Sequence, residues 1–103
     1  MDNGYVWTWP VYLVYLQHDG QVEVPIVPEG EGGQCLNGLA VFTEELLAER
    51  FRAKWKATAV IVPVLRIELL DTIKRLLPFI EATHVVIDPD DHVSCPWIPF
   101  AEI

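Results

Sequence analysis

Hydrophobic residues run along this chain in short blocks, and their spacing switches between a period of two and a period near four. Val11-Tyr-Leu-Val-Tyr-Leu-Gln17 is apolar at nearly every position. Val11, Leu13 and Tyr15 fall on one side, and Tyr12, Val14 and Leu16 on the other. β-branched and aromatic residues on both faces predict a central strand buried on both sides. His18-Asp-Gly20 supplies a hairpin turn. Gln21 to Val27 then alternates, with Val22, Val24 and Ile26 facing one way. Pro25 has no N–H to give a ladder, so this second strand is expected at an edge or bulged.

At Leu39-Ala-Val-Phe42 another short strand forms, and the period becomes helical at Thr43. Thr43 stands where a helix N-cap belongs, Glu44 and Glu45 occupy the first turn, and bases gather in the last. The helix over about residues 44–55 lines up Leu47, Phe51 and Trp55 as a core-facing stripe, with Leu46 beside them. Thr58 to Val62 predicts a strand stopped by Pro63. A second helix over about residues 68–77 turns Leu69, Leu70, Ile73, Leu76 and Leu77 inward, with Pro78 limiting it. His84 to Asp88 is the last clear strand. The tail from Ser94 to Ile103 reads as apolar and irregular, and Tyr5 to Trp9 as a possible extra strand.

The expected fold is a single α/β domain over residues 1–103, α+β-like in detail. Its order is β-β-β-α-β-α-β: a mixed sheet of about five strands with two helices mainly on one face. Two helices on one face leave the other face of the sheet uncovered, and a bare apolar face is unusual on a soluble monomer. The tail aromatics Trp7, Trp9, Trp97 and Phe100 are the candidates to cover it, with Tyr12 on the sheet itself. They do so either by folding back or by packing against a second chain, which makes them the candidate interaction residues.

Composition narrows the function. The chain has 103 residues, 51% of them hydrophobic and 21% charged, which suits a globular domain with its own core. No apolar run approaches a membrane span, and Met1-Asp-Asn-Gly4 lacks a basic leader. The expectation is a soluble cytoplasmic protein with no membrane partner. The net charge is −8, and all seven Lys and Arg lie between Arg50 and Arg75. Both ends of the chain are purely acidic, so phosphate backbones are repelled and a nucleic-acid partner is not expected. Cys35 and Cys95, without an export signal, read as two thiols, with a disulfide between them as the alternative.

Candidate chemistry is sparse. Asp88-Pro-Asp-Asp-His-Val-Ser-Cys95 gathers carboxylates, an imidazole and a thiol just past a strand end, where open α/β sheets place ligands. Asp90, His92 and Cys95 could ligate a metal there, although an Asp-rich turn has the same composition. The sole serine is Ser94, outside any nucleophile elbow, and Cys35 has no activating base nearby in sequence. Glu29 and Glu31 make the Gly-rich stretch from Pro28 to Gly38 a poor phosphate cradle. No catalytic residue is assigned and no cofactor is expected.

Leu39-Ala-Val-Phe-Thr-Glu-Glu-Leu-Leu-Ala-Glu-Arg-Phe51 resembles the SseB-type N-terminal domain family. Its members show an early strand pair, a strand ending in Phe-Thr/Ser, an acid-led helix, and a later strand ending in Asn/Asp-Pro. The pair looks like Val11–Gln17 with Gln21–Val27, and the last element like Val85-Val-Ile-Asp-Pro89, so the resemblance spans about residues 11–90. It implies no catalytic residues. The Trp7-x-Trp9 arm and the Trp97–Phe100 tail are not part of the family pattern. The favoured reading is a non-enzymatic protein-interaction module that forms a homodimer or captures another protein. The alternative is a small ligand- or metal-binding domain, or an enzyme, centred on Asp88–Cys95.

Overall fold

The computed structural model describes residues 5–29, 36–89 and 95–103, without the side chains of Glu29 and Leu36. Among these residues there are two α-helices and seven strands in two sheets, an α+β fold. The strands are β1 (Val11–His18), β2 (Gln21–Glu23), β3 (Ile26–Glu29), β4 (Leu36–Val41), β5 (Val60–Val64), β6 (His84–Ile87) and β7 (Trp97–Pro99). The helices are α1 (Glu45–Trp55) and α2 (Arg66–Leu76), and a 3-10 turn, Phe100–Glu102, ends the chain.

One sheet has the order β2-β1-β5 and the other β3-β4-β6-β7. They join at a single antiparallel pair, Tyr12 with Phe42. The Tyr12 N–H donates to the Phe42 carbonyl at 2.7 Å, and the Phe42 N–H returns the bond at 2.9 Å. Beyond that pair β1 and β4 diverge, and the β2–β3 segment fills the fork. Pro25 is the reason the expected strand over residues 21–27 is split in two. Residues 21–23 pair with β1, residues 26–29 pair with β4, and the chain crosses between them at Val24-Pro25. The hairpin turn before β2 carries Asp19 at φ 49° and Gly20 at φ 75°, the positive values a two-residue turn of this kind requires.

The helices lie on opposite faces, not mainly on one. Leu69 and Ile73 of α2 pack with Val11, Leu13, Leu39, Val41, Val85 and Ile87. Ala48 of α1 packs with the alternate strand residues Val14, Ala40, Phe42 and Val86. The cause is topological. β4 and β6 run parallel, and β5, antiparallel to β1, shares their direction. The β4-α1-β5 crossover moves one way across the sheet and β5-α2-β6 moves back. Two right-handed crossovers in opposite directions deliver their helices to opposite faces.

Proline also sets the sheet margins. The Tyr12 backbone is turned to Phe42, so its β5 neighbour Pro63 faces the outer edge. β5 therefore continues through Pro63 instead of stopping there. On β7, Pro96 and Phe100 bond back toward β6, which turns Pro99 outward by the same alternation. Each edge thus lacks a donor where an added strand would need one.

Candidate functional site

The strand-to-helix junction after β4 is tied to the end of β6. The Asp88 N–H donates to the Val41 carbonyl at 2.8 Å, and Asp88 adopts φ 49°, a left-handed value that Asp tolerates better than most residues. This turns its carboxylate back onto Thr43. Oδ1 accepts from the Thr43 N–H at 2.8 Å, and Oδ2 accepts from Thr43 Oγ1 at 2.6 Å. Thr43 is therefore not the helix cap. Its hydroxyl is spent on Asp88, and the capping position falls to Glu44, which makes no side-chain cap bond. The Asp88 carbonyl in turn accepts a hydrogen bond from Cys95 Sγ at 3.3 Å.

The N-terminal arm reaches the same corner. Burial first, and the Asp88 charge second, raise the Tyr5 pKa above its usual 10.0. The neutral phenol is thus favoured in the folded state. Its contribution to stability is complete below the unfolded pKa and is lost as pH climbs through the higher folded value. Tyr5→Phe is expected to flatten the alkaline loss of stability, read by chemical denaturation on either side of pH about 10.

The five aromatic residues expected to form one interaction patch are divided between the two faces. Trp7 and Trp9 stack at 4.9 Å with planes 5° apart, and Tyr5 meets Trp7 edge-on at 5.0 Å. These rings and Phe100 pack on the α2-side core. Tyr12 and Trp97 pack on the α1-side core. All five are half-buried against their own chain. The segment around Tyr5 to Trp9 is not a strand, whereas the tail contributes β7, whose Trp97 crosses the bare Cα of Gly38.

Of the alternative metal ligands, Asp90 and His92 lie outside the described residues, as does Cys35, while Cys95 bonds to Asp88. Among the described residues no three acidic, His or Cys side chains converge as a metal site, and no helix is long and apolar enough to cross a membrane.

The surface that stands out is the outer flank of α2. Leu69 and Ile73 are buried as the helical period predicts, but Leu77 is 47% exposed, Ile67 77% and Phe79 84%. Val6, on the arm over the same face of the sheet, is 81% exposed. Ile67, Leu70, Lys74 and Leu77 follow a spacing of three and four, a seam beside the core stripe. A helix start at residue 68 hides it, because Ile67 then lies outside the helix. The true start carries Leu65 before it, its N–H bonded to Glu68 Oε1 at 2.9 Å. On the other side of the core stripe, an open apolar groove of about 360 Å³ runs between Thr72, Leu76 and strand residues Leu13 and Val62. Comparison with family models, curated proteins and solved structures finds no match to this chain.

Proposed function

We propose that the protein is a non-enzymatic, cytoplasmic interaction module that pairs with a second copy of itself through the outer flank of α2. The observation that carries this reading is the exposure of Ile67, Leu77 and Phe79 on one helix and the turn after it. Large apolar side chains grouped this way favour burial against a partner. A second copy suits the charge pattern. Glu68 and Asp71 lie toward the start of α2, where Arg66 is turned to the Ile103 carbonyl, and Lys74 and Arg75 lie in the last turn. A twofold axis through the middle of the helix sets the acidic half of one copy against the basic half of the other. Helix pairing is also favoured over strand addition, because Pro63 and Pro99 interrupt both outer edges.

The kinship with the SseB-type domain belongs to the same proposal. Its support is that the two sharpest points of resemblance, Thr43 and Asp88, are hydrogen-bonded to each other.

Sedimentation velocity over about a hundredfold dilution tests the pairing. The wild-type protein is expected to shift from dimer to monomer. Ile67→Glu with Phe79→Ser is expected to be monomeric throughout while keeping the wild-type far-UV spectrum, since both side chains are exposed. A monomer at every wild-type concentration, or an unchanged dimer in the double variant, refutes the pairing.

A further inference from the structure

The opposite face of the sheet carries a different feature. Beside α1 runs a groove of about 360 Å³, within the range of small-ligand sites. Its floor is aromatic: Phe42 and Phe51 lie 5.1 Å apart, and Phe51 and Trp55 6.4 Å apart. Arg50, Lys54, Asp88 and Pro89 also line it.

The two cations stand out because they share one groove. With 15 acids against seven bases, most basic side chains are engaged. Lys56 pairs with Glu23 at 2.9 Å and Arg75 with Asp71 at 3.1 Å. Arg66 donates to the Ile103 carbonyl at 2.7 Å, and Arg52 to the Ala59 carbonyl at 3.4 Å. Among the described residues Arg50 and Lys54, like Lys74 on α2, have no comparable partner, although these two stand one turn apart, where like charges repel. Asp88 lines the same groove and forms no ion pair with either, since both its oxygens accept from Thr43, but its carboxylate still offsets part of their charge.

We propose that this groove binds a small carboxylate with an apolar body. The apolar part covers Phe51 and Trp55, and the carboxylate settles between Arg50 and Lys54. The planar guanidinium can donate two parallel bonds to a carboxylate, and an anion placed there relieves the repulsion between the two cations. The net charge of −8 opposes this mainly at long range, and Asp88 is the acidic residue that opposes it within the groove itself. At physiological ionic strength fields fade over about 8 Å, so the two adjacent cations dominate at contact.

The test is a titration of the full chain with decanoate, decanol and decyltrimethylammonium, each kept below its micelle concentration. Trp fluorescence and amide chemical shifts are the readouts. Decanoate is expected to bind about tenfold more tightly than decanol, with shifts centred on α1. The cationic amphiphile is expected to bind most weakly. Arg50→Gln with Lys54→Gln is expected to erase the preference for decanoate while leaving decanol binding in place. Equal affinity for decanoate and decanol, an unchanged preference in the double variant, or shifts centred on α2 would each overturn the assignment. These substitutions lie on the face away from α2, so self-association and ligand binding fail independently.

Discussion

Asp88→Ala is expected to lower the stability of this protein by about 3 kcal/mol, a fall of roughly 12–24 °C in melting temperature for a domain of this size. The side chain makes two hydrogen bonds to Thr43 at 2.8 and 2.6 Å, and both involve a charged acceptor in a partly buried setting. Bonds of that kind are worth about 1.5–3 kcal/mol each and act here as one unit, so their loss is less than the sum. Alanine adds a second penalty, because φ at this position is 49° and alanine has no side-chain bond to favour it. Three companion variants separate the effects. Asp88→Gly relieves the backbone and loses only the bonds, so it is expected to be milder by about 1 kcal/mol. Asp88→Asn keeps an acceptor for the Thr43 N–H and tolerates the backbone, so it retains most of the stability. Thr43→Val added to Asp88→Ala costs little more, because the partner is already gone. Thermal unfolding by circular dichroism reads all four. A melting temperature unchanged in Asp88→Ala means that Thr43 and Asp88 do not hold β4, α1 and β6 together.

That corner also marks how far the chain could be understood from its letters. Strand β1 was legible because its apolar residues fill both faces, and the two cores divide its side chains as alternation predicts. Both helices were legible within two residues, from stripes at helical spacing. The faces they cover were not. Which side a crossover takes depends on the order of strands in the sheet, and no local pattern encodes that β5 lies beyond β1 while β6 lies beyond β4. Thr43 was misassigned for a related reason. A threonine before an acidic first turn has the composition of a cap, but a carboxylate 45 residues away competes for the same hydroxyl. Pro63 was read as a terminator because proline breaks a central strand, whereas an edge strand accommodates it. β7 has three residues, two prolines within or beside it, and no alternation to announce it. The aromatic arms, singled out as candidate covers or contact surfaces, pack against the two cores of their own chain. Their separation onto two faces required the topology, and so did the outer flank of α2, exposed only because the inner flank already fills the core.

Gly38→Val is expected to destabilise by about 2–3 kcal/mol, although valine is the better strand former. Gly38 is buried in β4, with an ordinary backbone conformation, so the glycine is not there for its dihedral freedom. It is there for space. A Cβ at this position would lie 2.6 Å from the Trp97 ring, with two further ring atoms at 3.1 and 3.2 Å. The indole cannot bend, and Trp97 is held on β7 opposite Val86, with His84 6.3 Å from its ring. Relief therefore requires β7 to shift or the ring to leave its seat. The smaller Gly38→Ala is expected to cost about 1 kcal/mol, because overpacking is partly offset by the lower entropy of the unfolded chain. The decisive comparison places valine in a Trp97→Ala background. With the ring absent, the same substitution fills a void and gains strand propensity, so its cost is expected to vanish or change sign, a coupling of about 2–3 kcal/mol. Urea unfolding of the two single variants and the double variant measures this directly. Independent, additive costs would mean that Trp97 does not rest on Gly38, and the tail would no longer serve as the cover for the α1 face. Strong coupling makes the glycine and the tryptophan one device, in which a missing side chain on a central strand lets the C-terminal strand lay an indole across the sheet.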